Sequence, residues 1–161
     1  SLLPNETLQR VMQAKLEELG GVSYSAAEQK YAETIYKTLV QPSAEIGDQE
    51  RISPYQRTHG YGSTDVGDVS WLIPTGGIGV ATWVPGTAAH SWQAVSTGGT
   101  SIGLKGTKLA AKALAATALE IYQNPRIVDQ AKKELQNNVG PDFKYEALLG
   151  DRKPPLNYRN N

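Results

Sequence analysis

Ile78-Gly79-Val80-Ala81-Thr82-Trp83-Val84 is a β-branched and aromatic run bounded by Gly77 on one side and Pro85-Gly86 on the other. That composition suits a pleated, half-buried surface, and the flanking Gly and Pro punctuate it at strand length. A buried strand is therefore expected here, with helices on both sides. Toward the N-terminus, Asn5 precedes apolar residues at helical spacing, Leu8, Val11, Met12, Leu16 and Leu19, and Gly20-Gly21 stops them. Ser25 and Glu28 make a capping-box pattern ahead of a second stripe, Tyr31, Ala32, Ile35 and Leu39, which runs to Pro42. Toward the C-terminus, a long helix is expected from about Leu104 to Tyr122, with Leu109, Ala113, Leu114, Thr117, Ala118 and Ile121 turned inward. Asn124-Pro125 restarts the chain for a last stripe of Ile127, Val128, Ala131 and Leu135, closed by Gly140-Pro141. Helices around a buried strand imply an α/β layer, and one strand does not make a sheet. Further strands lie either in the Gly-rich middle or in polypeptide outside this chain, so the expectation is helices packed on an incomplete sheet.

Length and charge narrow the function. A chain of 161 residues is the size of one ordinary domain, which is the expectation for residues 1–161. Sixteen basic residues balance sixteen acidic ones, and no basic stretch alternates with aromatics, so a nucleic-acid partner is not expected. Without cysteine there is no disulfide framework, thiolate zinc site or cysteine nucleophile, and any metal must rest on His, Asp or Glu. No run of about eighteen apolar residues offers a membrane span. The most apolar stretch, Leu109 to Tyr122, carries Lys112 and Glu120. The opening residues lack a basic segment followed by an apolar one, so a cytoplasmic location is expected unless the chain is a fragment.

Few residues offer chemistry. Residues 41–62 read as a long polar loop, the length at which loops are functional or mobile. The two histidines stand apart from any ligand cluster. His90, in Gly86-Thr87-Ala88-Ala89-His90-Ser91-Trp92, follows the expected strand, where α/β proteins present ligands, and reads as a metal or catalytic residue or as a hydrogen-bonded loop histidine. His59 lies in the polar loop, where the structural reading is favoured. Asp65 and Asp68 are three apart, so a helical turn puts both carboxylates on one face, as a metal-ligand pair or as an acidic first turn capped by Ser63 or Thr64. Ser1 invites an N-terminal nucleophile, but a cut site or chain boundary is the favoured explanation. Gly98 to Lys108 looks superficially like a phosphate loop, but Lys105 is followed by Gly106, so nucleotide binding is not expected.

Taken as consecutive blocks, Gly62-Ser63-Thr64-Asp65-Val66-Gly67-Asp68-Val69-Ser70-Trp71, Pro74-Thr75, Ala81-Thr82-Trp83, Gly86-Thr87 and His90-Ser91-Trp92-Gln93 resemble metal-dependent amidohydrolases of the aminoacylase and carboxypeptidase type, on the aminobenzoyl-glutamate hydrolase branch. Leu3-Pro4-Asn5, the stretch from Lys105-Gly106 to Ala118-Leu119, and Lys153-Pro154-Pro155 extend the match over essentially the whole chain. The resemblance implies the C-terminal portion of a two-metal exopeptidase-like catalytic domain, using zinc or manganese, that hydrolyses an amide of an N-acyl or aminobenzoyl amino acid. In that scheme His90 is similar to the C-terminal histidine metal ligand, Ser63, Thr64 and Asp65 line the substrate site, and Asp68 supports the turn. The family's remaining metal ligands and its paired glutamates have no counterpart here. The resemblance therefore implies an inactive isolated chain that binds little metal, completed by an N-terminal portion or a companion chain in an oligomer. A non-catalytic binding or scaffold domain that kept the fold without the metal site is the alternative.

Overall fold

The computed structural model describes residues 1–62, 64–147, 149–157 and 159. Its elements are α1 (Glu6–Leu19), α2 (Ala26–Tyr36), a 3-10 turn (Asp48–Glu50), α3 (Val66–Ser70), α4 (Trp92–Gly98), α5 (Ser101–Gln123) and α6 (Pro125–Val139). The helix starts follow capping chemistry. Leu8 N–H donates to the Asn5 side chain, and Ser25 and Glu28 form a complete capping box at α2. α6 adds a second capping group to α1. The Glu134 carboxylate accepts from the backbone N–H of Glu6 at 2.6 Å and of Thr7 at 2.9 Å, and from the Thr7 hydroxyl at 2.7 Å. Partial burial opposes ionisation of Glu134, but these bonds outweigh it and hold the carboxyl below its ordinary value. Asn5 completes the joint by donating to the Ala131 carbonyl at 2.9 Å.

α1 lies against α5 and α6, and α4 against α5. The buried cluster joins Ala32 and Ile35 of α2 to Val84 and to Ile102 at the start of α5, with Tyr24, Tyr31, Tyr36 and Ile46 packed on it. Two glycines make the close approaches possible. A Cβ at Gly106 would strike the Ala81 carbonyl oxygen, and one at Gly103 would strike the Gly98 carbonyl oxygen. Ala81 and Thr82 thus lie directly on α5, Trp83 lies beside Gly98 of α4, and α4 folds back tightly onto α5.

The expected helices on an incomplete sheet are not found: among the described residues the chain is helical and contains no strand. The run from Ile78 to Val84 lies outside every helix, and no main-chain ladder pairs it. Its alternation survives in exposure, with Gly77 and Gly79 exposed and Ile78 and Val80 half-buried. β-Branched residues suit an extended path, whereas a strand needs a second backbone to bond with. Here the neighbours are helices and a side chain, which offer no backbone for a ladder. With its amide oriented to satisfy both ends, Gln9 donates to the Gly77 carbonyl at 2.9 Å and accepts from the Gly77 N–H at 3.2 Å. The long helix is also set differently from its expected face. α5 starts at Ser101 under the Thr100 cap and buries Ile102, Gly103, Gly106, Ala113 and Thr117. Leu114 and Ala118, expected to face inward, are exposed.

Candidate functional site

His90 sits in a loop that is anchored at both ends. Thr87 N–H donates to the Val84 carbonyl at 3.1 Å, turning the chain off the extended run. Gly86, at φ 81°, then brings the backbone so near Pro42 and Ala44 that a side chain there would clash. Ser91 closes the other end: its hydroxyl donates to the Ala88 carbonyl at 2.7 Å and caps α4 by accepting from Ala94 N–H at 3.2 Å. Gln93 donates to the Thr38 carbonyl and hydroxyl, each at 3.2 Å, tying the start of α4 to the end of α2. Between these anchors His90 takes φ 59°, a left-handed conformation uncommon for a residue with a Cβ. It is exposed, and no hydrogen bond or ion pair to its imidazole occurs among the described residues. α4 itself left no expectation in the sequence, although Ser91 ahead of Trp92 is a cap signal that could have marked it.

The other expected site residues lie on a different support. Ser63 falls outside the described residues. Thr64 is exposed and serves its own turn, its hydroxyl accepting from Val66 N–H at 3.2 Å and its carbonyl from Gly67 N–H at 3.2 Å. Asp65 stands at the N-cap position of α3 with an exposed side chain that makes no capping bond. α3 is fastened to the first residues of the chain: Leu3 N–H donates to the Ser70 hydroxyl at 2.8 Å and the Trp71 indole donates to the Ser1 carbonyl at 2.8 Å. It also meets the segment after α6, where Trp71 and Phe143 have ring centroids 5.4 Å apart. Partial burial and the neighbouring Asp68 carboxylate raise the Tyr145 phenol above its ordinary value. No bond joins Asp65 to His90 among the described residues. No three His, Asp or Glu side chains converge there on a point that could hold a metal. His59 packs edge-on to Tyr61 with centroids 5.5 Å apart, in the exposed loop.

Two further features bear on chemistry. A cleft of about 740 Å³ opens between Met12 and Leu16 of α1, Arg51 and Tyr55 of the loop, and Ile78 and Val80, and neither Thr64, Asp65 nor His90 lines it. The glycine-rich stretch at the start of α5 faces an internal anion. Ser101 donates to the Glu28 carboxylate at 2.6 Å and Lys105 pairs with it at 2.5 Å. Lys105, Ser101 and the Ser25 backbone hold Glu28 at a pKa of about 2, against an ordinary 4.5. The residues that looked like a phosphate loop are thus spent on a buried carboxylate of α2.

No family model matches the chain, and no solved structure matches it. The sequence is nevertheless homologous to a hydrolase. It is 32% identical over 161 residues to one of the subunits of p-aminobenzoyl-glutamate hydrolase from Escherichia coli (strain K12), covering 84% of this chain and 34% of that protein. The chain therefore spans about a third of the relative's length, and the resemblance read from the central blocks is to a true homologue. No helix among the described residues is long and apolar enough to cross a membrane.

Proposed function

We propose that residues 1–161 form the C-terminal portion of the catalytic domain of a metal-dependent amidohydrolase, which cleaves an amide such as that of aminobenzoyl-glutamate. The observation that carries this reading is the 32% identity to a hydrolase about three times longer, spread over 84% of this chain. His90 offers an imidazole nitrogen from an anchored, exposed loop, as a metal ligand requires. The described residues do not complete a two-metal site by themselves, so the remaining ligands and the general base are assigned to polypeptide outside residues 1–161. When bound, two zinc or manganese ions supply Lewis-acid polarisation of the amide carbonyl and an acidified water. Within this chain, His90 supplies the metal ligand, Ser63, Thr64 and Asp65 contact the substrate, and Asp68 supports their turn. The relative is by name one subunit of its enzyme, and an assembly with a companion chain is proposed here in the same sense.

The test is hydrolysis of p-aminobenzoyl-glutamate by the protein isolated from its source, alongside the 161-residue chain alone. Activity in the former that chelation removes and zinc or manganese restores, with none in the latter, is expected. Metal-dependent hydrolysis by the 161-residue chain alone would overturn the partial-site reading, and a metal-loaded native protein that leaves the amide intact would overturn the function.

A further inference from the structure

α5 turns a narrow apolar stripe to solvent, bordered by Thr107 on one side and Lys108 on the other. At 3.6 residues per turn, Leu104, Ala111, Ala115, Ala118 and Tyr122 fall on one stripe, opposite the buried Ile102, Gly106, Ala113 and Thr117. All five stripe residues are exposed, Leu104 at 66% and Tyr122 at 85%. Leu114 on one flank and Leu119 on the other are exposed too, with Lys108 and Lys112 along the Leu119 side. α6 provides the internal contrast: its outward residues are Arg126, Asp129, Lys133, Gln136 and Asn137, the polar face a surface helix needs. An exposed apolar stripe set opposite a buried one gives a helix a second face on which to pack. The alanines form a shallow trough along the axis between larger side chains, a shape that receives another helix at close range.

We infer that the outward face of α5 is the seat of an apolar helix supplied by polypeptide outside residues 1–161. This rests on the reading of the chain as part of a longer enzyme, and two magnitudes favour that occupant over a second copy. The stripe is roughly 27 Å long and about 10 Å wide, some 270 Å² a side, well below the ~800 Å² per partner of a stable association. A segment held in the same folded body does not bear the full entropic cost of association, so a small apolar face suffices for it. The relative meanwhile has about two thirds of its length without a counterpart in this chain.

Because the chain contains no cysteine, Ala115→Cys places a single probe at the centre of the trough. Maleimide labelling, read peptide by peptide, is compared between the 161-residue chain and the protein isolated from its source, with Lys133→Cys as the control on α6. Labelling at position 115 is expected to slow by at least about 100-fold in the native protein, as at a packed surface that must open to react, while position 133 reacts equally in both. A photo-crosslinker attached to the introduced thiol at position 115 should then reach polypeptide outside residues 1–161. Equal labelling at position 115 in both forms, or a crosslink only to another copy of residues 1–161, would overturn the inference. Hydrolysis is read separately: protection without amidase activity would sink the proposed function and leave the docking face standing, and activity without protection the reverse.

Discussion

His90 carries the cost of a left-handed backbone in a loop whose other positions are small, and nothing in the described structure repays that cost by bonding to its ring. Alanine keeps the Cβ and hence the same backbone strain, so His90→Ala in the complete enzyme should leave stability within about 0.5 kcal/mol. It should still lower metal content and reduce turnover by at least about 100-fold, as loss of a ligand does. His59→Ala should change neither, and metal analysis with thermal melts on the two variants would separate a lost ligand from a lost fold. Glu28 offers the opposite case, a buried acid whose work is structural. Its pKa of about 2 lies below the ordinary 4.5, so its contribution is fully present above about pH 4.5 and is lost as pH falls toward 2. Glu28→Ala should cost about 2–3 kcal/mol at neutral pH, from the capping bond and the charge-assisted bonds together. Lys105→Met should cost less, because the lysine is only partly shielded from water. Urea unfolding between pH 2 and 7 checks the sign: stability that failed to fall faster in the wild type than in Glu28→Ala below pH 4.5 would refute the assignment.

Among elements, the extended run from Ile78 to Val84 shows how sequence and surroundings divide the outcome. Its side chains favour an extended path, and its seat is made by a glycine on another element, since the Ala81 carbonyl occupies the space where a Gly106 side chain would stand. Gly106→Ala should therefore set two effects against each other. Helix propensity gains about 1 kcal/mol, while a clash with backbone, which has little room to move, costs typically 1–3 kcal/mol. A net loss of stability is expected, together with faster amide exchange at 80–83 as the run lifts from α5. A stabilised variant with unchanged exchange would show that the contact is not tight.

At the scale of the molecule, the four longer helices were legible because each carries local signals. Asn5, the Ser25 and Glu28 pair and Asn124-Pro125 mark starts, and Gly20 and Gly140 mark ends, both with positive φ. The arrangement of the candidate site was not legible. Its residues could be named from the blocks around Gly62 to Trp71 and His90 to Gln93, but α3 and the α4 loop are fixed by separate contacts, one to residues 1–3 and 143–145, the other to residues 38–44. Spacing along a chain says nothing about such distant partners. Glu134 at the N-terminus of α1 is the same lesson, a cap taken from 128 residues away.

Local chemistry in the sequence thus determined where helices begin and end, the absence of thiol chemistry, and kinship with a hydrolase about three times longer. Those properties depend on neighbours within a turn or two, or on residue identity alone. Tertiary structure decided that the β-branched run stays unpaired, because a strand requires a partner backbone and helix α5 offers none. It also decided which side of α5 is buried. Periodicity is ambiguous for a helix with apolar residues on more than one side, and the packing of α1, Ala81 and Gly98 against α5 selected the inner face.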